Sequence, residues 1–321
     1  MKNKPILIVP GETESIFFEI LFKSIRSNKF KSPLILITSI KILQAQMKRF
    51  KFKKKIRIID LIYLKKNKLD NLKINLINID NYISNKIKKN TINTNAYIKN
   101  CFDIAFKILK TNFSNKLLNG PINKSLFLNR KFPGMTEYIS SKFNIKKNAM
   151  LIYNEDLSVC PLTTHLPLKL VSNKISRKLI KEKTILINDF FLKNRGFKPK
   201  IAVTGLNPHC ESTLKFNEDD KILVPAIKTL RKNGYKIYGP FSADTIFLKQ
   251  NRDKYNVILG MYHDQVLSPI KTLKEYNAIN VTLGLPFYRV SPDHGPNKKM
   301  INKNLSNSIS LTKSIKFLDQ Q

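Results

Sequence analysis

The chain has 321 residues, enough for a substantial core and for two domains. Its 58 lysines and arginines against 22 acidic residues give a formal net charge of +36, while 42% hydrophobic content and a mean hydropathy of -0.25 suit a globular protein. No apolar run approaches the roughly 20 residues of a membrane-spanning helix. Three widely spaced cysteines without a CxxC (Cys101, Cys160, Cys210) exclude a disulfide framework and a zinc-thiolate site, and the cytoplasm is the expected compartment.

The N-terminal MKNKPILIVPGETES is basic and then apolar, but its apolar run is only ILIV before Pro10, Gly11 and Glu12. It reads as a first strand (PILIVP, 5–10) and its turn. SPLILITS (32–39) reads as a second buried strand. The densest basic stretch, 46–73, interleaves lysines with aromatics and raises nucleic-acid binding as a possibility. Lysine and asparagine are, however, abundant along the whole chain, and arginine, whose bidentate fork nucleic-acid readers favour, supplies nine of the 58 cations. The charge therefore reads as a diffuse, solvated surface that draws anions inward, and no nucleic-acid or membrane partner is expected. Residues 66–93 are low in complexity and read as irregular. NTNAYIKNCFDIAFKILK (93–110) places Tyr97, Cys101, Ile104, Ala105 and Ile108 on one helical face, with Thr94 or Asn95 as cap.

The second half alternates strand and helix signals. KIAVTG (200–205) is a strand, and 217–234 is a helix with Asn217 as N-cap, acids in its first turn and Gly234 as stop. YKIYG is a further strand, Ser242 is expected to cap a helix through Phe247, and YNVILGMY (255–262) is the next strand. This alternation predicts an α/β fold with largely parallel sheets. Ligands in such folds sit beyond the carboxyl ends of the strands. Three of the four histidines, His165, His209 and His263, follow apolar runs, and together they suggest a divalent metal site of neutral imidazoles. The fourth, His294, lies in SPDHG. There is no GxGxxG, GxxxxGK[ST] or GxSxG, so neither a Rossmann fingerprint, a P-loop nor an α/β-hydrolase elbow is present.

Seven motifs occur in order: GPINK (120–124), PGMTEY (133–138), TTHLPL (163–168), TGLNPH (204–209), GPFSADTIF (239–247), YHDQVLSPIK (262–271) and NVTLGLPFYRVSPDHG (280–295). The series resembles the 4-hydroxythreonine-4-phosphate dehydrogenase family of vitamin B6 biosynthesis. The resemblance implies a homodimer of two-domain subunits with the isocitrate/isopropylmalate dehydrogenase-like fold and an interdomain active-site cleft. The implied first domain is 1–120 plus 290–321; the second, 121–289, carries metal ligands and dimer contacts. It further implies NAD or NADP as cofactor, and one divalent ion (Zn, Mg or Co) on His165, His209 and His263, shared between subunits. Thr136, Lys271, Asn280 and Arg289 fall on the family's substrate contacts. The implied reaction is oxidation of 4-phosphohydroxy-L-threonine to a β-keto acid that decarboxylates to 3-amino-2-oxopropyl phosphate. Asp244 and Asp264 are candidates to orient imidazoles or act as bases, with a helix-cap or surface role as the alternative for each. Met135 stands where the family usually has histidine, and the loops after Pro10–Gly11 and His209 lack the family's glycines. Two other readings remain at this point, a three-histidine metal hydrolase and a basic nucleic-acid-binding protein.

Overall fold

The computed structural model describes residues 3–66, 69–82, 94–123, 127–128, 131–211, 216–301 and 303–321. In chain order, β1 (Ile6–Val9), α1 (Phe17–Ser27), β2 (Leu34–Thr38), α2 (Ile40–Arg49), β3 (Ile56–Ile58), β4 (Ile74–Asn78), α3 (Thr94–Lys110) and β5 (Lys116–Asn119) come first. Then follow α4 (Met135–Lys142), β6 (Ala149–Tyr153), β7 (Ser158–Pro161), α5 (Arg177–Arg195), β8 (Ile201–Thr204) and α6 (Val224–Lys232). The remainder is β9 (Ile237–Phe241), α7 (Lys249–Arg252), β10 (Val257–Gly260), α8 (His263–Lys274), β11 (Ile279–Leu283), β12 (Tyr288–Pro292) and α9 (Ile309–Asp319). The chain divides into two compact units, Met1–Arg130 with Pro286–Gln321, and Lys131–Leu285.

In the first unit six strands run parallel in the order β3-β4-β2-β1-β5-β12. The ILIV and LILIT strands are buried throughout, as apolar runs covered on both faces must be. Helix α1 turns Phe17, Phe18, Ile20, Leu21 and Phe22 inward. Its buried Glu19 accepts from the Ser306 backbone N–H (2.7 Å), the Ser306 hydroxyl (2.9 Å) and Lys23 Nζ (2.8 Å), tying the C-terminal segment to the unit.

Strand β4 corrects the reading of 66–93 as irregular: Ile74–Asn78 is fully buried between β2 and β3. The asparagines that gave INLIN a loop-like look are satisfied internally, Asn75 Nδ2 donating to the carbonyls of Leu34 (3.0 Å) and Asp70 (2.7 Å). Residues 83–93 of that stretch lie outside the described residues. In the basic 46–73 stretch Phe52 is buried and stacks on Phe22 at 4.3 Å, so that ring is not available as a base-stacking platform.

The second unit orders its strands β11-β6-β7-β10-β8-β9. Pairs β11–β6 and β6–β7 are antiparallel; β7, β10, β8 and β9 run parallel. Its core joins Ile152, Val159, Ala202, Ile258, Val266 and Ile270. Helix α5 is capped by Ser176 Oγ, which accepts from Leu179 N–H (3.2 Å), and ends on Gly196 at φ 74°.

Two local expectations differ. Asn217 does cap its helix, its side chain accepting from Asp220 N–H at 2.8 Å, but the first turn, Asp219–Leu223, is π-helical before α6. Pro225 has no N–H to donate to the Lys221 carbonyl, which Arg177 Nη2 occupies at 2.9 Å. The stretch Ser242–Phe247 forms turns instead of a helix. The Ser242 carbonyl accepts the backbone N–H of both Thr245 and Ile246, and Ile246 and Phe247 drop into the core.

Candidate active site

Because β7, β10 and β8 are adjacent and parallel, the segments leaving them emerge side by side at one edge. The segment after β7 is fastened to the end of β10. Leu162 N–H donates to the Gly260 carbonyl (2.7 Å), and the Thr163 hydroxyl donates to the Met261 carbonyl (2.7 Å). This brings the rings of His165 and His263 to 5.7 Å between centroids. His263 opens α8, and its Nδ1 lies 2.7 Å from Asp264 Oδ1, which aims Nε2 away from the carboxylate. Asp264 thus occupies the imidazole-orienting position, whereas Asp244 lies exposed in a turn beyond β9.

His209 follows β8 on a loop held from below. The buried Asp219 carboxylate accepts Leu206 N–H (2.8 Å), Asn207 N–H (3.1 Å) and Asn207 Nδ2 (2.8 Å). His209 and Cys210 both adopt positive φ, 54° and 64°, a conformation that non-glycine residues keep only where their surroundings over-determine it. Burial, then the Asp219 charge, pushes the Cys210 thiol up, so it is not a ready thiolate. Gln265 on α8 joins the two strand ends: its Oε1 accepts Met261 N–H and the Thr204 hydroxyl, both at 2.7 Å, and its Nε2 donates to the Gly205 carbonyl at 2.8 Å. His209 itself is exposed, and among the described residues no three His, Cys or carboxylate side chains close on one point within the chain.

Thr136 and Asn280 come together through β11. Thr136 Oγ1 is 3.4 Å from Thr282 Oγ1, and Asn280, two residues earlier, shares that face of the strand. Asn280 Oδ1 is buried and accepts no hydrogen bond from a described residue. Met135 and Thr136 are 6% and 4% exposed, because the first turn of α4 packs inward. Lys271 is exposed on α8, eight residues beyond His263 and therefore about 12 Å further along the helix. Arg289 belongs to the first unit, where it is 2% exposed and donates Nε–H to Asn119 Oδ1 at 2.8 Å.

A cavity of about 550 Å³ lies elsewhere, in the first unit against Phe22, Leu34, Leu36 and Ile74. It opens at the amino ends of β2 and β4, the edge that parallel sheets do not use for ligands. Arg26, Lys29, Lys54 and Lys73 are the cations among its lining residues.

The family model described as pyridoxal phosphate biosynthetic protein PdxA matches residues 29–318. The chain belongs to this family. It is 37% identical over 249 residues to a 4-hydroxythreonine-4-phosphate dehydrogenase of Sulfurihydrogenibium sp. (strain YO3AOP1), covering 76% of the chain and 75% of that relative. It is also 37% identical over 208 residues to a D-threonate 4-phosphate dehydrogenase of Salmonella typhimurium, covering 64% and 63%. The crystal structure of a 4-hydroxythreonine-4-phosphate dehydrogenase from Klebsiella pneumoniae superposes over 99% of the chain and 100% of that protein, with a TM-score of 0.79 at 26% identity. The expected family and the mostly parallel α/β fold are therefore those found, the chain is an oxidoreductase of this B6-biosynthetic family, and the comparisons do not favour the hydrolase or nucleic-acid-binding readings.

Two residues that hold the site carry no local signal of that role: Asp219 reads as a first-turn acid, and Gln265 is one letter within YHDQ. Only their non-local partners show what they do.

Proposed function

We propose that this family member is an NAD(P)-dependent dehydrogenase acting on 4-phosphohydroxy-L-threonine, working as a cytoplasmic homodimer. The observation that carries the reading is the pair of imidazoles, His165 and His263, 5.7 Å apart at the carboxyl edge of three parallel strands, with His209 leaving the strand beside them. Three neutral imidazoles are a donor set that fits Zn²⁺ and Co²⁺ better than Mg²⁺. Within one chain they do not close on one point, and the proposed set is completed across the dimer. A divalent ion so held supplies Lewis acidity to the substrate alcohol, and a nicotinamide accepts its hydride.

The chain's own residues bind and orient. Lys271 presents an exposed cation for the phosphate or carboxylate. Arg289 supplies a guanidinium whose plane is set by Asn119. Thr136 and the open Asn280 acceptor face hydroxyl or amine groups of the substrate. With a nicotinamide bound, it would take the hydride of the alcohol carbon while solvent took the hydroxyl proton, giving a β-keto acid and a reduced nicotinamide. Loss of CO₂ from that acid, with a proton taken up from solvent at the carbon that bore it, would yield 3-amino-2-oxopropyl phosphate.

The test is appearance of reduced nicotinamide with purified protein, NAD⁺ or NADP⁺, and added Zn²⁺, Mg²⁺ or Co²⁺. Turnover is expected with 4-phosphohydroxy-L-threonine. Turnover with D-threonate 4-phosphate alone would replace the amine-bearing substrate by the hydroxyl-bearing one, and none with either would overturn the reading.

A further inference from the structure

We infer that Glu137 is a positioning residue for His165, a carboxylate behind the imidazole that fixes how its ring meets a metal. The inference rests on the proposed three-histidine site and adds a residue to it. Glu137 stands in the first turn of α4, and its Oε1 accepts the hydroxyl of Thr164, the residue before His165, at 3.0 Å. Its Oε2 is buried and accepts no hydrogen bond from any described residue. A buried carboxylate oxygen is costly to leave in that state unless a donor comes to it.

The nearest suitable donor is identified by Gly134. A Cβ built on Gly134 would lie 2.5 Å from His165 Nδ1 and 2.7 Å from Glu137 Oε2. Two atoms so close to one point are themselves no more than about 5 Å apart, so the imidazole and the carboxylate flank the same gap. Gly134 therefore leaves open the space in which imidazole and carboxylate approach. The other member of the pair already shows the finished arrangement, with His263 Nδ1 on Asp264 Oδ1 at 2.7 Å. An N–H held on a carboxylate fixes the tautomer, directs the opposite nitrogen outward and raises its basicity as a ligand. Glu137 gives His165 what Asp264 gives His263.

The experiment is calorimetric titration of the metal-free, full-length protein with Zn²⁺, without substrate or nicotinamide, so that the readout is independent of dehydrogenase activity. Glu137→Gln keeps the shape and removes the charge. It is expected to weaken Zn²⁺ about 10- to 100-fold while leaving the metal-free melting temperature at the parent's value. Glu137→Asp, which restores the charge, should recover part of the loss. Should Glu137→Gln fail to fold, Thr164→Val, which frees the carboxylate from its other anchor, must weaken Zn²⁺ in the same direction. Parent-like affinity in Glu137→Gln, with His165→Ala abolishing binding, overturns the inference and leaves the metal site standing. Parent-like affinity in His165→Ala overturns both.

Discussion

Replacing Gly134 with alanine isolates the geometry around His165. The backbone there is extended, φ -161° and ψ 176°, which any residue adopts, so the perturbation is one methyl group and nothing else. That methyl would stand 2.5 Å from His165 Cε1 and Nδ1 and 2.7 Å from Glu137 Oε2. Reaching an ordinary contact of about 3.5 Å demands roughly 1 Å of movement. Both obstacles are side-chain ends, so rotation relieves the overlap, and the stability cost should sit at the low end of overpacking, about 1 kcal/mol. Function has less room. Metal–ligand distances tolerate about 0.2 Å, and a misplacement near 1 Å costs on the order of 100-fold in rate. G134A should therefore unfold only slightly earlier in urea, yet bind Zn²⁺ weakly and turn over about 100-fold more slowly. Parent-like metal affinity and turnover would show that His165 is neither confined by Gly134 nor needed where it stands. A loss above about 4 kcal/mol, the range reserved for severe core damage, would refute relief by side-chain rotation.

Gln265→Leu removes three hydrogen bonds and strands Met261 N–H, the Thr204 hydroxyl and the Gly205 carbonyl; a loss of about 2–4 kcal/mol by urea unfolding is expected, and less than 1 would mean that water replaces the amide. Lys116 is 1% exposed with Nζ 3.0 Å from Ser32 Oγ, and burial holds its ammonium below the ordinary 10.5 despite the pull of Asp319. Between the lowered native value and 10.5 the unfolded chain binds more protons, so this group makes stability rise with pH. Lys116→Met should flatten that rise in urea midpoints measured from pH 8 to about pH 10, and parallel curves for parent and variant would refute the assignment. Met135→His restores a donor that a thioether lacks. One hydrogen bond to a charged group is worth about 1.5–3 kcal/mol, so KM should fall one to two decades with kcat little changed, and no change in either would show that Met135 is not the handicap.

What could be read directly was whatever local pattern encodes. ILIV, LILIT and the apolar run ending at Gly260 are strands because continuous burial needs continuous apolar side chains, and helix Thr94–Lys110 follows from its inward Tyr97, Cys101, Ile104 and Ile108. Strand β4 escaped because two of its five residues are asparagines, and Asn75 is satisfied in part by the Leu34 carbonyl, some forty residues away in the chain. Which strands become neighbours is likewise not written in any one segment. That β10 lies between β7 and β8 is what brings His263 to His165, and no periodicity states it. The histidines were visible as candidates by placement. The parts that hold them, Asp219 under the His209 loop and Gln265 between two strand ends, form only once the chain is folded.

The division of the chain has a consequence for how it is made. The histidine-bearing unit is one uninterrupted stretch, 131–285, whereas the other unit waits for residues 286–321. A chain emerging from the ribosome carries every strand of the second unit before the first has received β12. Until then β5 has β1 on one side and a bare edge on the other, and Glu19 is buried with Lys23 but without Ser306. A chain that stops short of β12 would pair its histidine-bearing half with an open parallel edge, a surface that recruits other strands. Strand β12 thus does for the first unit what no earlier segment can: it covers the free side of β5.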